Sequence, residues 1–147
     1  MLFKRIRELR EYEAYTMQEV ADKLKVSKST YSLWEYGKDV IPLPRMIKLA
    51  NIYRVKLDYL LGLTDDKENK YLYDPINLTV LGNNLKNLRL RLKQTQKEFA
   101  KNINTSKSSL SNYERGETLI TILPLYEICR YAHISAEKLI YNNDNNF

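Results

Sequence analysis

The segment Ser106-Lys107-Ser108-Ser109-Leu110-Ser111-Asn112-Tyr113-Glu114-Arg115-Gly116 decides how this chain folds. It predicts a short helix with Ser106 as its N-cap and Gly116 as its stop. At about 100° per residue, five of its side chains share an arc of roughly 140°: Lys107, Ser108, Ser111, Asn112 and Arg115. Leu110 and Tyr113 point the other way. One face is therefore small, polar and basic, and such a helix can dock on a core and place that face in a nucleic-acid groove.

The same design occurs earlier in the chain as Ser27-Lys28-Ser29-Thr30-Tyr31-Ser32-Leu33-Trp34-Glu35-Tyr36-Gly37. A shift of 79 positions (106 minus 27) aligns the two segments, and the register holds without a gap from residue 3 to residue 141. Identical pairs elsewhere include Leu9-Arg10 with Leu88-Arg89, Thr16 with Thr95, Glu19 with Glu98, Ala21 with Ala100, and Leu60 with Leu139. Chance does not hold register over that length. The sequence predicts two homologous units of about 60 residues, each with a modest core.

Each unit predicts five short helices, so the fold class is all-α with two tandem five-helix domains. The second helix opens with a capping box, Thr16-x-x-Glu19 or Thr95-x-x-Glu98. The fourth begins near Pro42 and Pro44, and the fifth ends at Gly62. The first helix has an apolar stripe at spacings of three or four: Leu2, Ile6 and Leu9 in one unit, and Leu81, Leu85 and Leu88 in the other.

The predicted domains are residues 1–65 and 80–141, with a connector at 66–79 and a polar tail at 142–147. The connector begins with charged residues, but Tyr71-Leu72-Tyr73-Asp74-Pro75-Ile76 is not linker-like in composition. This stretch can pack on one of the domains, and Pro75 argues against a regular helix there. The tail is expected to fray.

Charge is distributed unevenly along the chain. The whole chain carries 24 Lys and Arg against 18 Asp and Glu, a net charge of +6 with a pI near 9.3. Residues 82–115 hold 8 basic and 2 acidic residues, a net of +6, whereas residues 116–147 hold 2 and 4, a net of −2. Positive charge therefore gathers on the part of the second unit that holds the polar helix, which favours an anionic partner.

No catalytic, cofactor or metal site is predicted. The single cysteine, Cys129, lies in an apolar run, so we expect a core residue, no internal disulfide and a reducing compartment. The single histidine, His133, is expected at the surface, which leaves no Cys/His cluster for a metal and no Ser-His-Asp set. No apolar run approaches ~18 residues and no signal peptide opens the chain. We expect a non-enzymatic, soluble cytoplasmic protein that does not bind a membrane.

A helix, a short turn and a second helix with a polar outer face form the helix-turn-helix design. Both units resemble the Cro and lambda-repressor type of domain, the XRE family, which implies a lambda-repressor-like fold for each. The second unit matches at Thr95-Gln96-x-Glu98-Phe99-Ala100, Thr105-Ser106-Lys107-Ser108 and Tyr113-Glu114-Arg115-Gly116. The first unit matches at Thr16-x-x-Glu19-Val20-Ala21, Val26-Ser27-Lys28-Ser29-Thr30, Trp34-Glu35-x-Gly37 and Leu57-Asp58-Tyr59-Leu60-Leu61-Gly62.

The resemblance implies that the start of each third helix enters the major groove of double-stranded DNA. The implied base-reading candidates are Lys28, Ser29 and Leu33 with Lys107, Ser108 and Asn112, and Ser32 and Ser111 lie on the same faces. Asn can bridge the edge groups of adenine, Lys can donate to guanine, and Leu can only touch a thymine methyl. A single Ser or Lys would be interpreted as solvated helix surface. Their repetition on one arc in both units favours the groove.

The resemblance places phosphate contacts at the start of the second helix, where free N–H groups attract anions, and in the loop after the third. The candidates are Gln96, Lys97, Tyr36, Lys38, Arg115 and Arg91. Gln96 matches the phosphate-binding glutamine of the family, whereas Met17 departs from it. Met17 and Leu33 together predict that the first unit binds DNA less well or reads a different half-site.

The pairs Arg10/Glu35 and Arg89/Glu114 share a spacing of 25 residues (35 minus 10 and 114 minus 89). The resemblance implies a partly buried ion pair between the first and third helices in each unit. We interpret these four residues as structural.

The expected function is sequence-specific DNA binding by a transcriptional regulator, in particular a repressor. An alternative is a protein-interaction module, antitoxin-like or regulator-binding, because a fold does not dictate function. That role would belong to the first domain, near Tyr31, Leu33 and Tyr36. A homodimer is a further option, and the operator, the target genes and any effector stay open.

Overall fold

The computed structural model describes residues 3–143. Leu2 of the predicted first helix and residues 144–147 of the predicted tail lie outside the described residues. Within 3–143 the chain forms ten α-helices and one isolated β-bridge, between Val55 and Glu68. It divides into two compact units, Met1–Asp74 and Pro75–Phe147. The prediction of an all-α fold with two five-helix domains is confirmed.

The helices of the two units correspond one to one. The first unit contains α1 (Arg5–Tyr12), α2 (Met17–Leu24), α3 (Lys28–Glu35), α4 (Leu43–Tyr53) and α5 (Leu57–Leu60). The second contains α6 (Leu78–Arg91), α7 (Gln96–Asn102), α8 (Lys107–Glu114), α9 (Ile122–Ala132) and α10 (Ala136–Tyr141). The bounds of α3 and α8, and of α4 and α9, differ by 79 residues at both ends. The sequence repeat is therefore also a structural repeat.

Backbone positions with positive φ repeat at the same offset. An L-residue adopts this left-handed region only at a cost of roughly 1–2 kcal/mol, so its recurrence is informative. The non-glycine pairs are Ala14 and Lys93 (φ 56° and 57°), Lys25 and Asn104 (57° and 55°), and Arg54 and His133 (52° and 53°). The glycines that follow the third helices, Gly37 and Gly116, both have φ of 70°. The same turns therefore join the helices in both units although the residues differ.

Side-chain caps start the second and third helices where the sequence predicts. Thr16 Oγ1 accepts from the Glu19 N–H at 3.1 Å, and Glu19 Oε1 accepts from the Thr16 N–H at 3.0 Å. Hydrogen bonds from the backbone N–H and the side chain of Thr16 hold the pKa of the Glu19 carboxyl below its ordinary value. The corresponding box at Thr95 has distances of 3.1 and 3.3 Å. Ser27 and Ser106 cap α3 and α8, each accepting a backbone N–H at 3.0 Å.

The predicted apolar stripes form the core of each unit. None of the following is more than 4% exposed: Ile6, Leu9, Val20, Ala21, Leu24, Leu81, Leu85, Leu88, Phe99, Ala100 and Ile103. Full burial of a side chain the size of Leu is worth about 1.5–3 kcal/mol. Cys129 is buried on α9, as its apolar surroundings predict. These residues form the platform on which each third helix rests.

Two glycines position the end of α8. A Cβ at Gly82 would lie 2.6 Å from the Glu114 carbonyl oxygen and 2.8 Å from that of Tyr113. Only glycine therefore lets α6 pack this closely on the last turn of α8. Gly116 then ends α8 with a φ of 70°, which an L side chain rarely adopts.

Part of the predicted connector packs onto the first unit. The Tyr73 N–H donates to Asn51 Oδ1 at 2.8 Å, and Asn51 Nδ2 donates to the Tyr73 carbonyl at 3.1 Å. Tyr73 Oη accepts from the Leu57 N–H at 3.0 Å. At the other end Asn77 caps α6, so this helix begins inside the predicted connector. Tyr73 therefore packs on the first unit although it lies within the predicted connector 66–79. The domain bounds 1–65 and 80–141 stay a prediction.

Candidate nucleic-acid interface

The third helix of the second unit presents the polar face that its periodicity predicts. Lys107 and Ser108 are exposed, and Ser111 and Asn112 are half-buried. On the other side of α8, Leu110 is fully buried. A small, polar and basic surface therefore rests on an apolar base.

Six of the eight candidate residues in the second unit line one open depression of about 470 Å³. They are Gln96, Lys107, Ser108, Ser111, Asn112 and Arg115. Gln96 is the first residue of α7, so the helix-turn-helix geometry brings the start of one helix to the face of the next. Of the other two candidates, Lys97 is exposed on α7. Arg91 is likewise exposed, and neither residue lines the depression.

Arg115 holds together the C-terminal end of this surface. Its Nη2 donates to Asn112 Oδ1 at 2.6 Å, and its Nη1 donates to Ser111 Oγ. Its Nε donates to Glu117 Oε1 at 3.0 Å, and Nη2 donates to Glu117 Oε2 at 3.2 Å. The hydrogen bond and charge of Glu117 raise the pKa of Arg115, and the guanidinium lowers the pKa of the Glu117 carboxyl. A base-reading candidate and a phosphate-binding candidate are thus in direct contact.

The predicted ion pair lies beneath the surface. Arg89 Nε donates to Glu114 Oε2 at 2.7 Å, and Arg89 Nη2 donates to Glu114 Oε1 at 3.0 Å. Both side chains are at least nine-tenths buried. Gln96 Nε2 also donates to Glu114 Oε1, at 3.2 Å. The carboxylate therefore ties α6, α7 and α8 together, and the glutamine proposed for phosphate has a structural bond as well.

The same face in the first unit is less polar. Lys28, Ser29 and Lys38 are exposed, and Ser32 Oγ donates to the Ser29 carbonyl at 2.9 Å. Leu33 and Tyr36 are 40% and 58% exposed, at the positions that Asn112 and Arg115 occupy in the second unit. Aliphatic and aromatic groups therefore replace the amide and guanidinium donors of α8.

The ion pair of the first unit is present but has different partners. Arg10 Nε donates to Glu35 Oε1 at 2.7 Å, and that hydrogen bond raises the pKa of Arg10. Tyr31 Oη also donates to Glu35 Oε1, at 3.2 Å. Burial raises the pKa of Tyr31, and the charge of Glu35 raises it further. Tyr31 is fully buried, so of the three residues named for a protein-binding role only Leu33 and Tyr36 are exposed.

The sequence patterns did not single out Glu117, Asn83 or Lys86, which line a second open depression beside the first. Glu117 follows the helix that supplied the pattern, so helical periodicity does not include it. The repeat contains a usable signal, because the residue equivalent to Glu117 in the first unit is Lys38, of opposite charge. Asn83 and Lys86 lie on α6, whose polar side carries no comparable motif.

The predictions for the single histidine and for a metal site can be compared with residues 3–143. His133 is exposed at the C-terminal end of α9, as predicted. Among residues 3–143, no three His, Cys, Asp or Glu side chains gather as ligands for a metal ion. In the same range no helix combines the length and apolar character needed to cross a bilayer.

Residues 6–60 and 85–139 each match the family model described as helix-turn-helix. The chain belongs to the XRE-type helix-turn-helix family. The two matched segments contain α3 and α8, and therefore include the candidate face of each unit described above.

Relatives occur in Bacillus subtilis (strain 168). The chain is 40% identical over 70 residues to the uncharacterized HTH-type transcriptional regulator YobD, which covers 48% of this chain and 62% of that protein. It is 35% identical over 79 residues to the HTH-type transcriptional regulator ImmR, which covers 54% of this chain and 61% of that protein. The matches therefore span about three fifths of the length of these two relatives.

Among solved structures, the chain is similar to the restriction-modification controller protein C.AhdI from Aeromonas hydrophila. The identity is 21% and the TM-score 0.41, over 43% of this chain and 96% of that one. The hypothetical transcription factor NHTF from Neisseria is similar at 20% identity with a TM-score of 0.41, over 48% of this chain and 87% of that one.

Proposed function

We propose that this chain is a sequence-specific DNA-binding transcriptional regulator, and in particular a repressor, that inserts α3 and α8 into the major groove of double-stranded DNA. The observation that carries the proposal is the face of α8, where five polar or basic side chains and Gln96 line one open surface. The family of the chain and relatives described as transcriptional regulators support it. Excess positive charge in residues 82–115 supports an anionic partner for that surface.

The candidate residues divide into two roles. In the second unit Lys107, Ser108 and Asn112 read base edges, while Lys97 and Gln96 bind phosphate. In the first unit Lys28 and Ser29 read bases and Leu33 contacts a thymine methyl. The half-sites therefore differ, because the two reading faces differ.

One chain supplies two reading helices, whereas repressors of this type pair two identical domains on successive major grooves about 34 Å apart. We therefore propose that a single chain can occupy two unlike half-sites, and that homodimers lengthen the footprint. Stoichiometry on a selected operator tests this arrangement. Two chains per site with α3 off the DNA would contradict it.

The decisive experiment selects a duplex from a random pool and measures its affinity for the protein between 50 and 200 mM salt. A protein that neutralises several phosphates loses affinity by orders of magnitude over roughly that range. Binding that does not depend on salt, or failure to select any duplex, would refute the proposal.

The repeat provides a matched pair of variants, because Lys28 and Lys107 are the same residue at equivalent positions. Lys107→Ala should weaken binding more than Lys28→Ala, since the second unit is more basic and keeps Gln96 and Asn112. Footprints of both variants locate the half-site that each unit occupies. A footprint unchanged by Lys28→Ala would show that α3 does not read DNA.

Binding of a protein partner is a second candidate function, for the first unit. Leu33, Tyr36 and Val40 are 40%, 58% and 38% exposed on α3 and the loop after it. The double variant Leu33→Asn/Tyr36→Arg gives this face the residues of the second unit. A changed base preference supports the DNA role of α3, whereas an unchanged preference supports the partner role.

A further inference from the structure

A cluster of four polar side chains, here called the Arg115 cluster, lies at the C-terminal end of α8: Ser111, Asn112, Arg115 and Glu117. Arginine has five N–H donors in a planar fork. Arg115 makes four hydrogen bonds with these three neighbours, two of them to the Glu117 carboxylate. The side chains of Arg115 and Glu117 are 54% and 58% exposed, so this ion pair is open to solvent on the surface proposed for DNA.

The cluster orients the amide of Asn112. Because Oδ1 faces the guanidinium at 2.6 Å, the Nδ2 donors are left free to point towards a ligand. An unrestrained amide could rotate and present either group. Arg115 therefore limits what Asn112 can offer to a base edge.

The cluster also neutralises the charge of Arg115 through its ion pair with Glu117. A guanidinium is a strong bidentate ligand for phosphate, but here its fork already holds a carboxylate. The net charge of the pair is zero, and a phosphate can bind the Nε and Nη2 donors of Arg115 only by displacing Glu117. The mutual pKa shifts of the two side chains agree with such a pair.

The fold does not require this cluster. In the first unit its last three members are replaced by Leu33, Tyr36 and Lys38. Nevertheless α3 ends at the position equivalent to the end of α8, and Gly37 has the φ of Gly116. Glu117 is therefore not needed for the turn, and its negative charge opposes the local positive charge. We look for its role in binding.

We propose that Glu117 determines specificity in the second unit, as a positioning residue that holds Arg115 against Asn112 and away from DNA phosphate. The second unit thereby binds DNA of any sequence more weakly but discriminates better between bases. This inference rests on the proposed function. Arg115→Ala should then relax the base preference at the Asn112 position besides weakening binding to all sequences.

The test compares the full-length wild type with Glu117→Gln on the selected duplex and on a scrambled duplex, across 50–200 mM salt. With Glu117 neutralised, Arg115 becomes a phosphate ligand. One added phosphate contact steepens the slope of log affinity against log salt concentration by about 0.9. The loss of affinity between 50 and 200 mM salt then becomes about threefold larger. The gain in affinity of the scrambled duplex should therefore be about threefold larger at 50 mM than at 200 mM salt, and the ratio between the two duplexes should fall. Glu127→Gln, which removes the same charge from α9, is the matched control.

Glu117→Gln that behaves like Glu127→Gln, or that strengthens both duplexes by the same factor, would overturn the inference while leaving the proposed function intact. If the wild type itself binds the selected duplex no better than the scrambled one, both the proposed function and this inference are refuted. Circular dichroism of each variant confirms that the helices are retained, as expected for an exposed side chain.

Discussion

The buried carboxylate Glu114 offers the sharpest test of how the second unit is held together. Glu114→Gln keeps the shape of the side chain but removes its charge. Arg89 would then be left nine-tenths buried without its counter-ion, and two short charge-assisted bonds of 2.7 and 3.0 Å would be lost. Loss of one partner of a well-buried pair costs about 3–5 kcal/mol.

That cost is large for a unit of this size. At roughly 0.05–0.15 kcal/mol per residue, a unit such as Pro75–Phe147 has a free energy of unfolding of about 4–11 kcal/mol. Glu114→Gln should therefore unfold a substantial part of the second unit at modest denaturant concentration. Replacement of the pair by Arg89→Met/Glu114→Leu should cost less than Glu114→Gln, because no buried charge is stranded.

The position of the single tryptophan makes the assay specific for each unit. Trp34 is buried in the first unit, so its fluorescence reports on unfolding there, whereas far-ultraviolet circular dichroism reports on both units. Glu114→Gln should move part of the dichroism transition to lower urea and leave the fluorescence transition in place. Glu35→Gln, the equivalent change in the first unit, should move the fluorescence transition instead.

Two outcomes would refute this reasoning. A loss of less than about 1 kcal/mol for Glu114→Gln would show that the pair is solvated, as exposed pairs are. A fluorescence transition that moves as far as the dichroism transition would show that the two units unfold together.

Three further predictions follow from particular contacts. Burial raises the pKa values of Tyr31 and Tyr53 above the ordinary value of 10.0. Their neutral forms therefore stabilise the first unit below pH 10, and this stabilisation is lost as the pH rises further. Tyr31→Phe should reduce the loss of unfolding free energy above pH 10, as measured by urea titration. Gly82→Ala should destabilise the second unit by about 1–3 kcal/mol in the same assay, because its Cβ would meet backbone oxygens of α8 at 2.6 and 2.8 Å. Asn112→Ala should cost about 1–3 kcal/mol and relax one base position in a duplex selection, whereas Lys97→Ala should weaken all duplexes alike; an unchanged motif for Asn112→Ala would exclude it as a reader.

The sequence by itself determined the helices, the repeat and the polar face. These features depend on local physics: caps such as Ser106 satisfy free N–H groups, and a 3.6-residue period sorts Leu110 from Lys107. The Arg89–Glu114 pair was predicted by the family resemblance. The spacing of 25 residues, repeated in both units, does not by itself show that the two residues are in contact.

Tertiary structure alone decided which side chains meet. Tyr31 lies on the same helix as Leu33, yet one is buried and the other 40% exposed, which depends on where α3 lies on the core. Composition indicated that residues 71–76 can pack on a domain, but it could not show that Tyr73 contacts Asn51, which lies 22 residues earlier. The contact of Glu117 with Arg115 depends on the backbone reversal at Gly116, after the helical period has ended. Periodicity predicts faces within one element, whereas contacts between elements depend on how those elements pack.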